Sequence, residues 1–187
     1  MEKTNDLKKL FLRILIVSLS LSALIGIIIF LFGKFGSTEG RIILTTLSFS
    51  AASLAGLCCS SIYTYEQFKP FSVLGIATSV AFLLFSIFAT WGNVNNIVVK
   101  YYADTAALTF TFAHISLLLL IRYANQLVKN VLIATIIFIA IVTVMLMIMW
   151  HNKIDNEFYY RLLGVFAILD SLGTIVTPIL NKTQKPQ

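Results

Sequence analysis

Apolar positions run along the chain in six long stretches separated by short polar breaks, and this pattern predicts the architecture before any single residue is considered. A helix rising 1.5 Å per residue needs about 20 apolar residues to cross the hydrocarbon core of a bilayer. The sequence supplies such runs near Leu10 to Gly33, Arg41 to Tyr63, Phe71 to Trp91, Asp104 to Tyr123, Val128 to Trp150 and Glu157 to Leu180. No gap between them exceeds roughly a dozen residues, which leaves no room for a separate water-soluble domain. The expected fold is therefore all-α: a single polytopic membrane domain over residues 1–187 with six transmembrane helices and short tails at 1–9 and 181–187. The first run follows Lys3, Lys8 and Lys9 as the core of a signal peptide would, but it continues through Ile25 to Phe30 without a small-x-small cleavage site. It reads as a retained anchor.

Composition excludes the main alternative. The chain is 58% hydrophobic and only 12% charged, against about 25% charged in soluble domains. Its net charge of +6 acquires meaning from position. With the N-terminus placed in the cytoplasm, Lys3, Lys8, Lys9, Arg13, Lys69, Arg122, Lys129, Lys182 and Lys185 fall inside, and Lys34, Arg41, Lys100, Lys153 and Arg161 outside. Nine against five favours both termini in the cytoplasm by the positive-inside rule, and the expected location is the plasma (inner) membrane. The basic balance thus reads as topology and contact with membrane lipids, with no nucleic acid implied. The amphipathic aromatics agree: Tyr63, Tyr65 and Tyr123 mark the inner ends, and Trp91, Tyr101, Tyr102, Trp150, Tyr159 and Tyr160 the outer ends.

A weak internal repeat organises the runs. Phe32, Trp91 and Trp150 close the odd-numbered helices at an even spacing of 59 residues, Leu47 to Leu54 aligns with Leu108 to Ile115 at an offset of 61, and Arg41-Ile42-Ile43-Leu44 aligns with Arg161-Leu162-Leu163-Gly164 at 120. These offsets suggest three tandem hairpins of about 60 residues, near 10–63, 71–123 and 128–180. Ser48, Ala52, Gly56 and Ser60 in the second helix, with Ser18, Ser22 and Gly26 in the first, form small-residue ladders expected to pack these two helices together. The fifth helix, with only Thr135 and Thr143 interrupting its aliphatic run, reads as lipid-facing. Met145, Met147 and Met149 read as part of that face.

One polar centre is expected. Asp170 lies near the middle of the sixth run and His114 near the middle of the fourth, so their side chains should sit at similar depth. An ionised carboxylate at mid-bilayer costs about 2.5–3.5 kcal/mol even on insertion scales, so it must turn inward and find a partner. Asp170 and Thr174 share a helix face, as do Thr111 and His114, and the repeat places Ser50 and Thr111 at positions equivalent to Asp170. Ser50, Ser53, Thr111, His114, Asp170 and Thr174 are therefore the candidate mid-membrane centre. The alternative role for Asp170 and His114 is interhelical glue. Arg41 and Arg161 are candidate anion contacts at the outer interface, against a simpler reading as snorkelling side chains.

Nothing in the sequence points to a cofactor or a metal. Cys58 and Cys59 are adjacent within an apolar run and have neither disulfide nor zinc spacing. There is no phosphate loop and no nucleophile motif, so the balance leans against an enzyme. The leading expectation is a non-enzymatic accessory or subunit protein that packs against another membrane protein or a second copy of itself. The alternative is a small transporter, channel, or ligand or proton sensor built on Asp170 and His114. No motif assigns the chain to a family.

Overall fold

A computed structural model describes residues 2–32, 36–92, 95–121 and 125–183. Its helices are α1 (Glu2–Phe32), α2 (Ser37–Ser61), α3 (Lys69–Trp91), α4 (Asn96–Leu119), α5 (Gln126–Asn152) and α6 (Glu157–Thr183), with a 3₁₀ turn at Glu66–Phe68 leading into α3. The described residues contain no strand. By length and composition α2 to α6 can each cross a membrane, whereas α1 carries a shorter apolar stretch, Leu12–Ile28, at the lower edge of the ~17–25 residues a span requires. The chain is thus an all-helical protein with the make-up of a multi-pass membrane protein. The predicted helix ends at Gly33 and Tyr123, together with Lys34, Arg122 and Lys185, lie outside the described residues, as do the side chains of Ser18 and Ser22.

Helix ends extend past the apolar runs because backbone hydrogen bonding does not stop where hydropathy falls. α4 begins at Asn96, eight residues before the predicted Asp104. The Asn95 carbonyl accepts from the amides of Val98 and Val99, and Tyr101 and Tyr102 stack on Phe85 and Phe82 of α3 with ring centroids 6.0 and 5.7 Å apart. Pro70 opens α3, where a missing amide proton costs no helical bond. Asn156 starts α6 by accepting from the Phe158 amide at 3.0 Å. α5 ends on Lys153 in the left-handed region, φ 49°, with its amide returning to the Met149 carbonyl.

The chain divides within α4 into two compact units, residues 1–113 and 114–187. In the first unit α2 packs against both α1 and α3. The α2–α3 seam is built from small residues in alternating steps of three and four. Ser48, Ala52, Ala55 and Cys59 are buried on α2, and Ser72, Gly75, Ser79, Phe82 and Ser86 on α3. Such spacing keeps one stripe of a helix facing its neighbour. Polar side chains lock it: Ser86 donates to Ser48, Ser72 donates to the Cys59 carbonyl at 2.7 Å, and Trp91 Nε1 donates to Thr45 Oγ at 2.9 Å.

α1 and α2 pack against each other as the small-residue ladders lead one to expect, although not every rung lies in that contact. Ser48 points to α3, and a Cβ placed on Gly26 of α1 would meet nothing within 4 Å. A strict four-residue repeat drifts about 40° per step around a helix with 3.6 residues per turn, so Ser48, Ala52, Gly56 and Ser60 cannot all face one partner. α2 and α3 come close at Gly75, where an added Cβ would lie 2.5 Å from Cys59 Sγ and 3.2 Å from Phe112 Cβ.

The second unit pairs α5 with α6. α5 buries Val128, Leu132, Thr135, Ile139 and Thr143 along one stripe, and Met145 away from it, so the expectations of a wholly lipid-facing fifth helix and of a lipid-facing Met145 do not hold. Its two threonines mark the packed face, and their hydroxyls donate to the Val131 and Ile139 carbonyls of the same helix. Tyr159 of α6 donates to the Met145 carbonyl at 2.7 Å, and Phe138 meets Phe166 at 6.1 Å between ring centroids.

Candidate functional site

α6 holds its polar face in place through α5. Gly173 has no side chain, and a Cβ there would sit 2.2 Å from Thr135 Oγ and 3.0 Å from Thr135 Cβ, so the two helices cross in close contact at this point. Thr177, one turn on, is completely buried and donates to the Gly173 carbonyl at 2.6 Å. Next to this anchored stripe stand Asp170 and Thr174, at i and i+4 on α6.

His114, near the end of α4, completes the group. Its Nε2 lies 2.9 Å from Thr174 Oγ, and Thr174 Oγ donates to Asp170 Oδ1 at 3.4 Å. All three side chains are half-buried. With Asp170 ionised the carboxylate only accepts, so in that state the threonine proton points to Asp170 and the tautomer with a proton on Nε2 donates to the hydroxyl. The result is an ordered chain, imidazole to hydroxyl to carboxylate. The second link, at 3.4 Å, is longer than the usual ~2.5–3.0 Å of a hydroxyl-to-oxygen hydrogen bond and is the weaker of the two. Thr174 stands one helical turn, ~6 Å, beyond Asp170 on α6, and its hydroxyl lies between the two titratable groups.

Other sequence candidates make hydrogen bonds within their own helices or at the surface. Ser50 and Ser53 are buried on α2, and Ser50 donates to the Thr46 carbonyl at 3.0 Å. Thr111 donates to the Ala107 carbonyl of its own helix at 2.8 Å. These three belong to the first unit, whereas His114, Thr174 and Asp170 belong to the second. Arg161 forms an exposed pair with Glu157 at 2.6 Å, and Arg41 is exposed on the first turns of α2. Both cysteines are free thiols. Among the described residues no three His, Cys, Asp or Glu side chains gather as a metal site would require.

Sequence reasoning missed one feature of this site. Pro178 lies inside α6, near the end of the helix, which continues to Thr183. Having no amide proton, Pro178 cannot donate to the carbonyl four residues earlier, and that carbonyl belongs to Thr174. The backbone of the central residue of the chain is therefore released from the helix ladder, a consequence readable from the i−4 spacing alone. Compared with known protein families, curated proteins and solved structures, the chain matches none of them.

Proposed function

We propose that the protein is a small non-enzymatic, proton-linked transporter of the plasma membrane. In this reading α1 serves as the sixth span and both termini lie in the cytoplasm. The observation that carries it is the continuous chain His114 Nε2, Thr174 Oγ, Asp170 Oδ1 between two helices. A hydroxyl can accept from one side and donate to the other. A proton entering at the imidazole can therefore leave at the carboxylate while Thr174 exchanges one hydrogen for another. Ionisable side chains within a span are costly and recur in proton pathways. The nine-to-five bias of Lys and Arg supports the orientation.

Proteoliposomes enclosing a pH-sensitive dye test this reading. An imposed pH gradient should collapse faster with the wild-type protein than in protein-free vesicles. Asp170→Asn and His114→Gln should return the rate to the protein-free level while inserting normally.

A second reading, an accessory subunit that packs against another membrane protein or a second copy of itself, is favoured by α6. This helix is the least buried of the five spanning helices and exposes Phe158, Leu162, Val165, Ile168, Leu172, Ile175 and Ile179. Equal gradient collapse in wild type and both variants, with co-purification of a partner chain, would establish that role and remove the first.

A further inference from the structure

α1 and α2 enclose between them an open, elongated cavity of about 440 Å³ lined by Arg13, Ile14, Val17 and Leu21 on α1 and by Thr45, Thr46 and Phe49 on α2. Two of the lining residues are threonines, yet the walls are apolar because both hydroxyls turn back to their own helix. Thr45 donates to the Arg41 carbonyl at 2.7 Å and Thr46 to the Ile43 carbonyl at 2.9 Å, leaving the methyl groups to face the cavity. The α1 wall, Ile14, Val17 and Leu21, follows the i, i+3, i+7 stripe of one helix face. The volume is in the range of small-ligand sites.

Charge enters at one end only. Arg13 stands where the apolar stretch Leu12–Ile28 begins, and Lys9 precedes it by one turn on the same face. Both are exposed. Two like charges at i and i+4 repel each other, and an anion between them removes the repulsion. An apolar trough with Arg13 in its wall and a second cation, Lys9, one turn before it on the same helix matches an amphiphile with a long hydrocarbon tail and a negative head. We propose that this groove binds an anionic phospholipid, with one acyl chain along Ile14, Val17, Leu21 and Phe49 and the phosphate held by Arg13 and Lys9. Arginine suits the phosphate because its planar fork donates two parallel hydrogen bonds. The proposal is independent of the proton chain in α4 and α6.

Native mass spectrometry of the full-length protein, released from micelles containing equal amounts of phosphatidylglycerol and phosphatidylcholine, tests the proposal. The wild-type protein should retain phosphatidylglycerol with a preference of ~10-fold or more, as two interfacial cations give. Lys9→Gln with Arg13→Gln should abolish the preference, and Val17→Trp, which fills the trough, should reduce retention of both lipids. Phosphatidylglycerol bearing a photoreactive acyl chain should label Val17, Leu21 or Phe49. Equal retention of the two lipids by the wild-type protein, or labelling confined to other helices, would overturn the proposal, and this holds even if a variant fails to fold. Displacement of the lipid by glycerol 3-phosphate alone would show a phosphate site without a tail groove and would also overturn it.

Discussion

A methyl group on Gly75 would come within 2.5 Å of the buried Cys59 sulfur, so this glycine and this cysteine act as a matched pair. Cys59 is fully buried and fills the space that Gly75 leaves, which gives it a packing role where the sequence showed only an adjacent cysteine pair. Gly75→Ala should lower stability by about 1–3 kcal/mol, the usual range for overpacking. Cys59→Ala in the same chain should recover much of the loss, as read by denaturant-induced unfolding in mild detergent. Lys153 presents the opposite case. It holds φ 49° at the end of α5, a conformation that costs a residue with a Cβ about 1–2 kcal/mol. Lys153→Gly should therefore raise stability by about 1 kcal/mol, and an unchanged or lowered unfolding midpoint would contradict this account of the cap.

Helices were legible in the sequence because bilayer thickness fixes their length, so six apolar runs became six helices with only their ends displaced. Their faces were harder to read. Water does not distinguish the buried face of a membrane helix from its lipid face, since both are apolar, and packing is instead marked by small and hydroxyl residues. On α5 the only two polar interruptions, Thr135 and Thr143, mark the packed stripe. On α3 the serines at 72, 79 and 86 stand at an even seven-residue spacing that was present in the sequence and marks the seam with α2. The contact between Thr135 and Gly173 fixes α5 against α6 and so sets where Asp170 and Thr174 stand. Gly173→Ala should push the two helices apart, lower stability by about 1–3 kcal/mol and weaken any function of the polar chain. Thr135→Ala should relieve most of that loss, and additive rather than compensating losses would count against a direct contact.

At the scale of the whole molecule, the candidate site was legible in part for an energetic reason: a carboxylate inside an apolar run must find a partner, and few titratable groups were on offer. His114, Asp170 and Thr174 were therefore readable as a set, whereas the order of the three depends on which helix turn faces which, a matter of packing that residue spacing does not encode. Ser50, Ser53 and Thr111 entered through the repeat alignment, and the structure places them in a different compact unit from Asp170. The central claim is that Thr174 couples His114 to Asp170, and infrared titration of the Asp170 carboxyl tests it most directly. The carboxylic-acid band is isolated by difference from Asp170→Asn and followed against pH. Thr174→Val removes the hydroxyl without changing any charge, so a change in the titration midpoint in that variant reports the hydrogen-bonded chain itself. The account expects the midpoint to move in Thr174→Val and to move also in His114→Gln. Titration curves that superimpose on wild type in both variants would contradict it.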